Sequence, residues 1–152
     1  MKNIGLYPRV HADTNGACVV SQAGGVVLVE AVRASGLDAA LSTALLRWRK
    51  PMAIHDPGKV ITDLAVALAL GGDCLADIAL LRAEPAVFGA VASDPTVSRV
   101  IDRLAADPRR ALAAIDVARA AARSTVWRLA GAHAPDHGID AERPLVIDTE
   151  PR

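Results

Sequence analysis

Three times in this chain an aspartate stands directly before a proline at the head of a run whose apolar residues recur at helical spacing: Asp56-Pro57, Asp94-Pro95 and Asp107-Pro108. An aspartate at the N-cap accepts from the unpaired N–H groups of the first turn. A proline at the first helical position gives up an N–H that has no partner in the helix anyway. Each pair therefore predicts a helix start. Aromatic residues make up only 3% of the 152 residues against 52% hydrophobic, so the core must be built from Leu, Val, Ile and Ala. That composition favours packed helices over a β-sandwich.

The remaining helices follow from periodicity and punctuation. Residues 26–35 read as a helix closed by Gly36. Residues 37–48 read as a second, with Leu41, Leu45 and Trp48 on one face, ended by a basic cluster of Arg47, Arg49 and Lys50 ahead of Pro51. In HDPGKVITDLAVALALGG, Val60, Ile61, Leu64 and Leu68 form the expected apolar stripe, and Gly71-Gly72 stops the helix. A short helix at 75–83 is broken by Glu84-Pro85. In SDPTVSRVIDRLA, residues 93–105, Asp94 is the expected N-cap. Val97, Val100, Ile101 and Leu104 share one side, with Thr96, Arg99 and Arg103 opposite. A long helix then runs from Pro108 to about Leu129, with Leu112, Ile115 and Val126 as expected anchors and Arg119, Arg123 and Arg128 outward.

Two segments read differently. Residues 6–20 form an expected hairpin around Asn15-Gly16, and Leu145-Val146-Ile147 reads as a lone buried strand. The expected fold is thus mainly α: a helical bundle with a helix-turn-helix-like element, a short N-terminal β-hairpin and a lone C-terminal strand. The expected division is an extended segment at 1–25, a helical region at 26–131, and a linker with a first strand at 132–152.

Charge narrows the function. The formal net charge is zero, which argues against a strongly basic nucleic-acid binder. The balance is uneven, however. Residues 132–152 carry five acids and two bases, net −3, so the other 131 residues carry +3. Between Asp94 and Arg128 seven arginines face four aspartates. Arginine pairs bidentately with guanine edges or phosphates, and small polar residues near a helix start, here Thr96 and Ser98, suit such contacts. Arg47, Arg49 and Lys50 make a second basic patch suited to phosphates. The stretch EPAVFGAVAS, before this helix, is longer than the turn of a tight helix-turn-helix.

Other chemistries find less. His133 and His137 are four apart, but Pro135 and Gly138 argue against a helix there, and no nearby Cys completes a metal set. Gly58-Lys59 lacks the earlier glycine of a phosphate loop, and no motif frames a nucleophilic serine. Cys18 and Cys74 lie far apart and read as reduced thiols of a cytoplasmic protein. The apolar stretch 60–81 is interrupted by Asp63, Asp73 and Asp77, so no membrane span is expected.

GLYPRVHADTNGACVVSQAGG, GGDCLADIALLRAEPAVFGAVASDPTVSRVIDRL and PLVID together resemble the N-terminal part of bacterial insertion-sequence transposases of the thirteen-eighty family, over about residues 6–148. These are DDE-type enzymes with a ribonuclease H-like core. The resemblance implies a helical region that binds double-stranded DNA at the element's terminal inverted repeats. It also implies a first strand of the catalytic core carrying a metal-binding aspartate. VIDTEPR matches that aspartate at Asp148, with Glu150 in place of the next aspartate and Pro151-Arg152 in place of Ala-Thr. Two-metal phosphoryl transfer needs carboxylates from several strands. The expectation is therefore a chain truncated at the first core strand: DNA-binding, no enzyme by itself and needing no cofactor, with Mg2+ implied for the full-length family. The alternative is a helical protein-interaction module, dimerising without DNA.

Overall fold

Two of the three aspartate–proline starts act as the sequence predicts. The structure, a computed structural model, describes residues 7–8 and 24–144. Its helices are α1 (Gly24–Ser35), α2 (Leu37–Ala44), α3 (Pro57–Ala69), α4 (Ile78–Arg82), α5 (Pro85–Phe88), α6 (Asp94–Ala105) and α7 (Pro108–Ala130). Short 3-10 turns lie at Leu46–Trp48, Leu75–Asp77 and Gly131–His133. Asp56 caps α3 by accepting from the Lys59 N–H at 3.1 Å, and Asp107 caps α7 by accepting from the Arg110 N–H at 3.4 Å. Asp94 does not cap. Ser93 is the residue before α6, and Asp94 lies inside the first turn, where Arg82 of α4 donates to it at 2.9 Å.

The mainly α expectation holds, but its β elements do not: among the described residues there is no strand. The expected hairpin at 6–20 and the strand at 145–147 fall largely or wholly outside the described residues. Tyr7 and Pro8, the described part of the first, are non-helical and are held to α1 by the Arg33 guanidinium on their carbonyls. The helix-turn-helix-like element is altered as well. The segment expected to be the turn between α4 and α6 contains a helix of its own, α5, because Pro85 starts one instead of only ending its predecessor.

The core is centred on α3. Val60, Thr62, Asp63, Val66 and Ala67 are buried, whereas Leu68, expected on the apolar stripe, is 62% exposed. The buried face is rotated because α3 packs on α2 through its first turn. Gly58 lies so close to α2 that a Cβ there would meet Ser42 N at 2.3 Å. α7 packs on α1 and α2 through Ala111, Ala118 and Ala122, all buried, while the expected anchor Leu112 is 61% exposed and Val126 is also exposed. Small side chains let the long helix approach closely, so alanine, not leucine, marks its inner face.

At the centre lies an ion pair. Lys59 Nζ donates to both carboxylate oxygens of Asp63, at 2.7 and 2.8 Å, and to the Phe88 carbonyl at 3.0 Å. The Tyr7 hydroxyl donates to Asp63 at 2.7 Å, and the Lys59 ammonium lies 4.2 Å from the Tyr7 ring centroid. The chain has one Tyr and one Phe, and both are spent on this lysine. Burial pushes the Asp63 carboxyl above the usual carboxylate range, opposed by the Lys59 charge and hydrogen bonds. Burial also pushes the Tyr7 hydroxyl up, as does the Asp63 charge beside it.

Breaking the pair leaves one charge buried alone. Lys59→Ala should cost about 3–5 kcal/mol in thermal or denaturant melts, and Lys59→Met combined with Asp63→Leu should cost clearly less. Gly58→Ala should cost about 1–3 kcal/mol, since two backbones must part to admit the methyl group.

Candidate nucleic-acid interface

The connection between α2 and α3 brings its basic residues to the side of α6. Leu45 is fully buried and ends α2. The chain then turns through Leu46–Trp48 and runs over residues 49–56 to the Asp56 cap. Asp56 is the fastener of this connection. Its buried carboxylate caps α3, accepts from Ser42 Oγ at 3.0 Å and pairs with Arg49 at 3.6 Å. Arg49 also donates to the Ala53 carbonyl at 3.2 Å, and the Ala53 N–H donates to Lys50 O at 3.1 Å, closing a turn at 50–53.

Against this loop lies the outer face of α6. Val97, Val100 and Leu104 are buried beneath it, as their spacing predicts. Between the two elements is an open groove of about 350 Å3, with Lys50 and His55 on the loop side and Thr96, Arg99 and Arg103 on the helix side. Met52 and Ile54 also border it. Lys50 of the first basic patch thus meets Arg99 and Arg103 of the second, about fifty residues on in the chain.

The expected contact residues divide. Lys50, Thr96, Arg99 and Arg103 line the groove. Arg47 does not; it is exposed and lies 5.1 Å from the Trp48 ring centroid. Arg49 is held behind the loop by Asp56, and Ser98 is exposed outside the groove. Asp148 and Glu150 lie outside the described residues. His55, Met52 and Ile54 are additions. The sequence signal for them is RKPMAIHDP, apolar residues set between basic ones in a loop.

The guanidinium groups of the groove are uncommitted to acids. Among the described residues Arg99 and Arg103 form no ion pair, whereas Arg82, Arg110 and Arg119 each have an aspartate. Arg99 donates to Thr96 Oγ1, at 3.2 Å. Arg103 Nε is buried and has no hydrogen-bond partner among the described residues. A buried N–H of this kind costs about 1–3 kcal/mol until an acceptor reaches it.

A larger groove of about 550 Å3 lies at the C-terminal end of α7, lined in part by Arg123, Trp127, Arg128, Asp136 and His137. His133 is not among its lining residues, so the two histidines do not converge there.

Asp73, Cys74 and Asp77 place ligand atoms within 4.8 Å of one another. One Asp77 oxygen, however, already accepts from the Asp73 and Cys74 N–H groups, which holds its carboxyl below the usual range. The thiol is a soft ligand, whereas Mg2+ takes oxygen donors in near-octahedral geometry. The trio does not fit Mg2+, and no metal-dependent step is assigned to it.

A family model described as "Transposase DDE domain group 1" matches residues 2–150. No curated protein and no solved structure matches the chain. The family match overturns the expectation of a non-enzyme. That expectation rested on an incomplete carboxylate set, but the match runs across nearly the whole chain and places it within an enzyme family whose full members use divalent metal. Among the described residues no helix is long and apolar enough to cross a membrane.

The roles of the loop fasteners are separable. Asp56→Ala should lower stability by about 1–2 kcal/mol through loss of the cap. Arg49→Ala should cost less than about 1 kcal/mol, because its partner pairing is half exposed. Chemical denaturation of the two variants side by side checks the order.

Proposed function

The chain belongs to the transposase DDE domain group 1 family, and on that premise we propose that the groove between the 50–55 loop and α6 holds double-stranded DNA at the element's terminal inverted repeats. The supporting observation is the convergence of Lys50, Arg99 and Arg103 on one open groove with no acid paired to either arginine among the described residues. Phosphate oxygens satisfy such guanidinium groups. Thr96, near the start of α6, is placed for a phosphate or base edge, with His55 opposite it. Arg47, Arg49 and Ser98 take outlying or supporting positions.

In this reading residues 26–131 form the DNA-binding region of a cytoplasmic transposase of the thirteen-eighty type. Asp148, with Glu150 after it, is proposed as the first metal-binding carboxylate, on sequence context alone. Self-association through α7 has less behind it. Leu112, Val126 and Leu129 are exposed and fall on one side of the helix at helical spacing, but Leu112 is separated from the other two by about four turns, and exposed Val117 lies away from them.

Titration with a terminal-repeat duplex at several salt concentrations tests the proposal. Replacing Arg99 and Arg103 by Ala together should weaken binding and reduce the slope of log affinity against log salt by about 1.8, the value for two lost phosphate contacts. Helicity by circular dichroism should not change. Binding that is absent, or whose salt slope is the same in the double variant, would exclude the groove.

A further inference from the structure

We propose that the tip of the 50–55 loop is a wedge: Met52, with Ile54 beside it, enters the base stack of the DNA held in the groove and opens one step. The proposal rests on the reading of the groove as a DNA site. Met52 is 98% exposed and Ile54 88% exposed, the two most exposed of the chain's large apolar side chains among the described residues. They line the same groove as Lys50, His55, Arg99 and Arg103.

The tip is held in an unusual shape. Met52 has φ 62, the only described non-glycine residue with positive φ. Glycine would adopt this conformation freely, whereas a methionine there is strained and persists only because its surroundings fix it. Those surroundings are visible: Pro51 precedes it, the Ala53 N–H donates to Lys50 O, and Arg49 holds the Ala53 carbonyl while itself anchored to the buried Asp56.

Charge selects the occupant. An apolar partner surface would not call for Lys50, Arg99 and Arg103 around the tip, whereas a polyanion with an apolar interior does. Proteins that kink DNA insert unbranched or branched aliphatic side chains between bases while cationic residues hold the flanking phosphates. A flexible thioether with a branched aliphatic neighbour meets that need. Pyrimidine–purine steps unstack most readily and are the expected targets.

Terminal-repeat duplexes carrying a single 2-aminopurine, placed in turn at each TA and CA/TG step, provide the test. The wild-type chain should raise 2-aminopurine emission at one step. The Met52→Ala/Ile54→Ala double variant should lose that rise while keeping the salt slope of binding, and Met52→Leu should retain it. Both side chains are exposed, so the melting temperature reports that the variants fold. Binding by the wild type without a rise at any step overturns the wedge and leaves the groove reading intact. So does a rise that survives in the double variant, including one accompanied by a change in sedimentation, which would assign the tip to self-association. Failure of the wild type to bind at low salt removes the groove reading, and the wedge with it.

Discussion

The structure turns on Lys59 and Asp63, a buried ion pair one helical turn apart on α3. Removing two charges from water costs several kcal/mol per ion, and their attraction offsets this only when every lone pair and proton finds a partner. Here the carboxylate takes two hydrogen bonds from Lys59 and one from the Tyr7 hydroxyl. The ammonium spends its remaining reach on the Phe88 carbonyl and the Tyr7 ring. Four parts of the chain are thereby tied to one point: the segment at Tyr7, α3 at two turns, and the end of α5. An all-apolar centre would be comparably stable, but it would not fix the register of α5 against α3, because apolar contacts are non-directional.

That point sets the geometry of the groove. With Lys59 held inside, the first turn of α3 is fixed in rotation. Gly58 then meets Ser42 backbone to backbone, and Asp56 has both a helix to cap and a Ser42 hydroxyl to accept from. The chain must pass from the buried Leu45 to the buried Asp56 in ten intervening residues, with Arg49 drawn toward the Asp56 carboxylate on the way. The residues between Arg49 and Asp56 are pushed outward as a loop, and α6, seated on Val97, Val100 and Leu104, presents its basic side to it. The groove is a consequence of these anchors, not a separate construction.

How much of this the sequence exposes depends on the kind of signal. The buried side of α6 is legible at Val97, Val100 and Leu104 because the helix is strongly amphipathic and packs on one side only. The inner face of α7 is misread at Leu112 because a periodicity argument ranks leucine above alanine, whereas close helix packing selects the smaller side chain at Ala111, Ala118 and Ala122. Asp94 is misread as a cap because local chemistry cannot see Arg82, twelve residues earlier and on another helix. The Lys59–Asp63 pair is invisible for the same reason. At helical spacing it looks like an ordinary surface pair, and only the long-range approach of Tyr7 and Phe88 buries it. Of the candidate site, the residue types at 47–50 and 96–103 are legible, but their convergence is a tertiary fact.

A formal charge of zero need not oppose a nucleic-acid interface when the acids are placed elsewhere. Screening confines exposed charges to roughly 8 Å at physiological salt, so a phosphate responds to its immediate neighbours and not to the total. Of the aspartates around the groove, exposed Asp102 of α6 has no ion pair among the described residues and the others are engaged. Asp94 is paired with Arg82, and Asp56 is buried beneath the loop, with Arg49, Ser42 and the Lys59 N–H on its oxygens. Asp107 and Asp116 are paired along α7. Asp136 borders the other groove, at the far end of α7 from Asp107. The same pairing that makes the aspartates structural leaves Arg99 and Arg103 without one, so the local field is positive where the whole-chain sum is nil. Adding acids far from the groove would leave that field unchanged, whereas a carboxylate paired directly with Arg103 would cancel much of it.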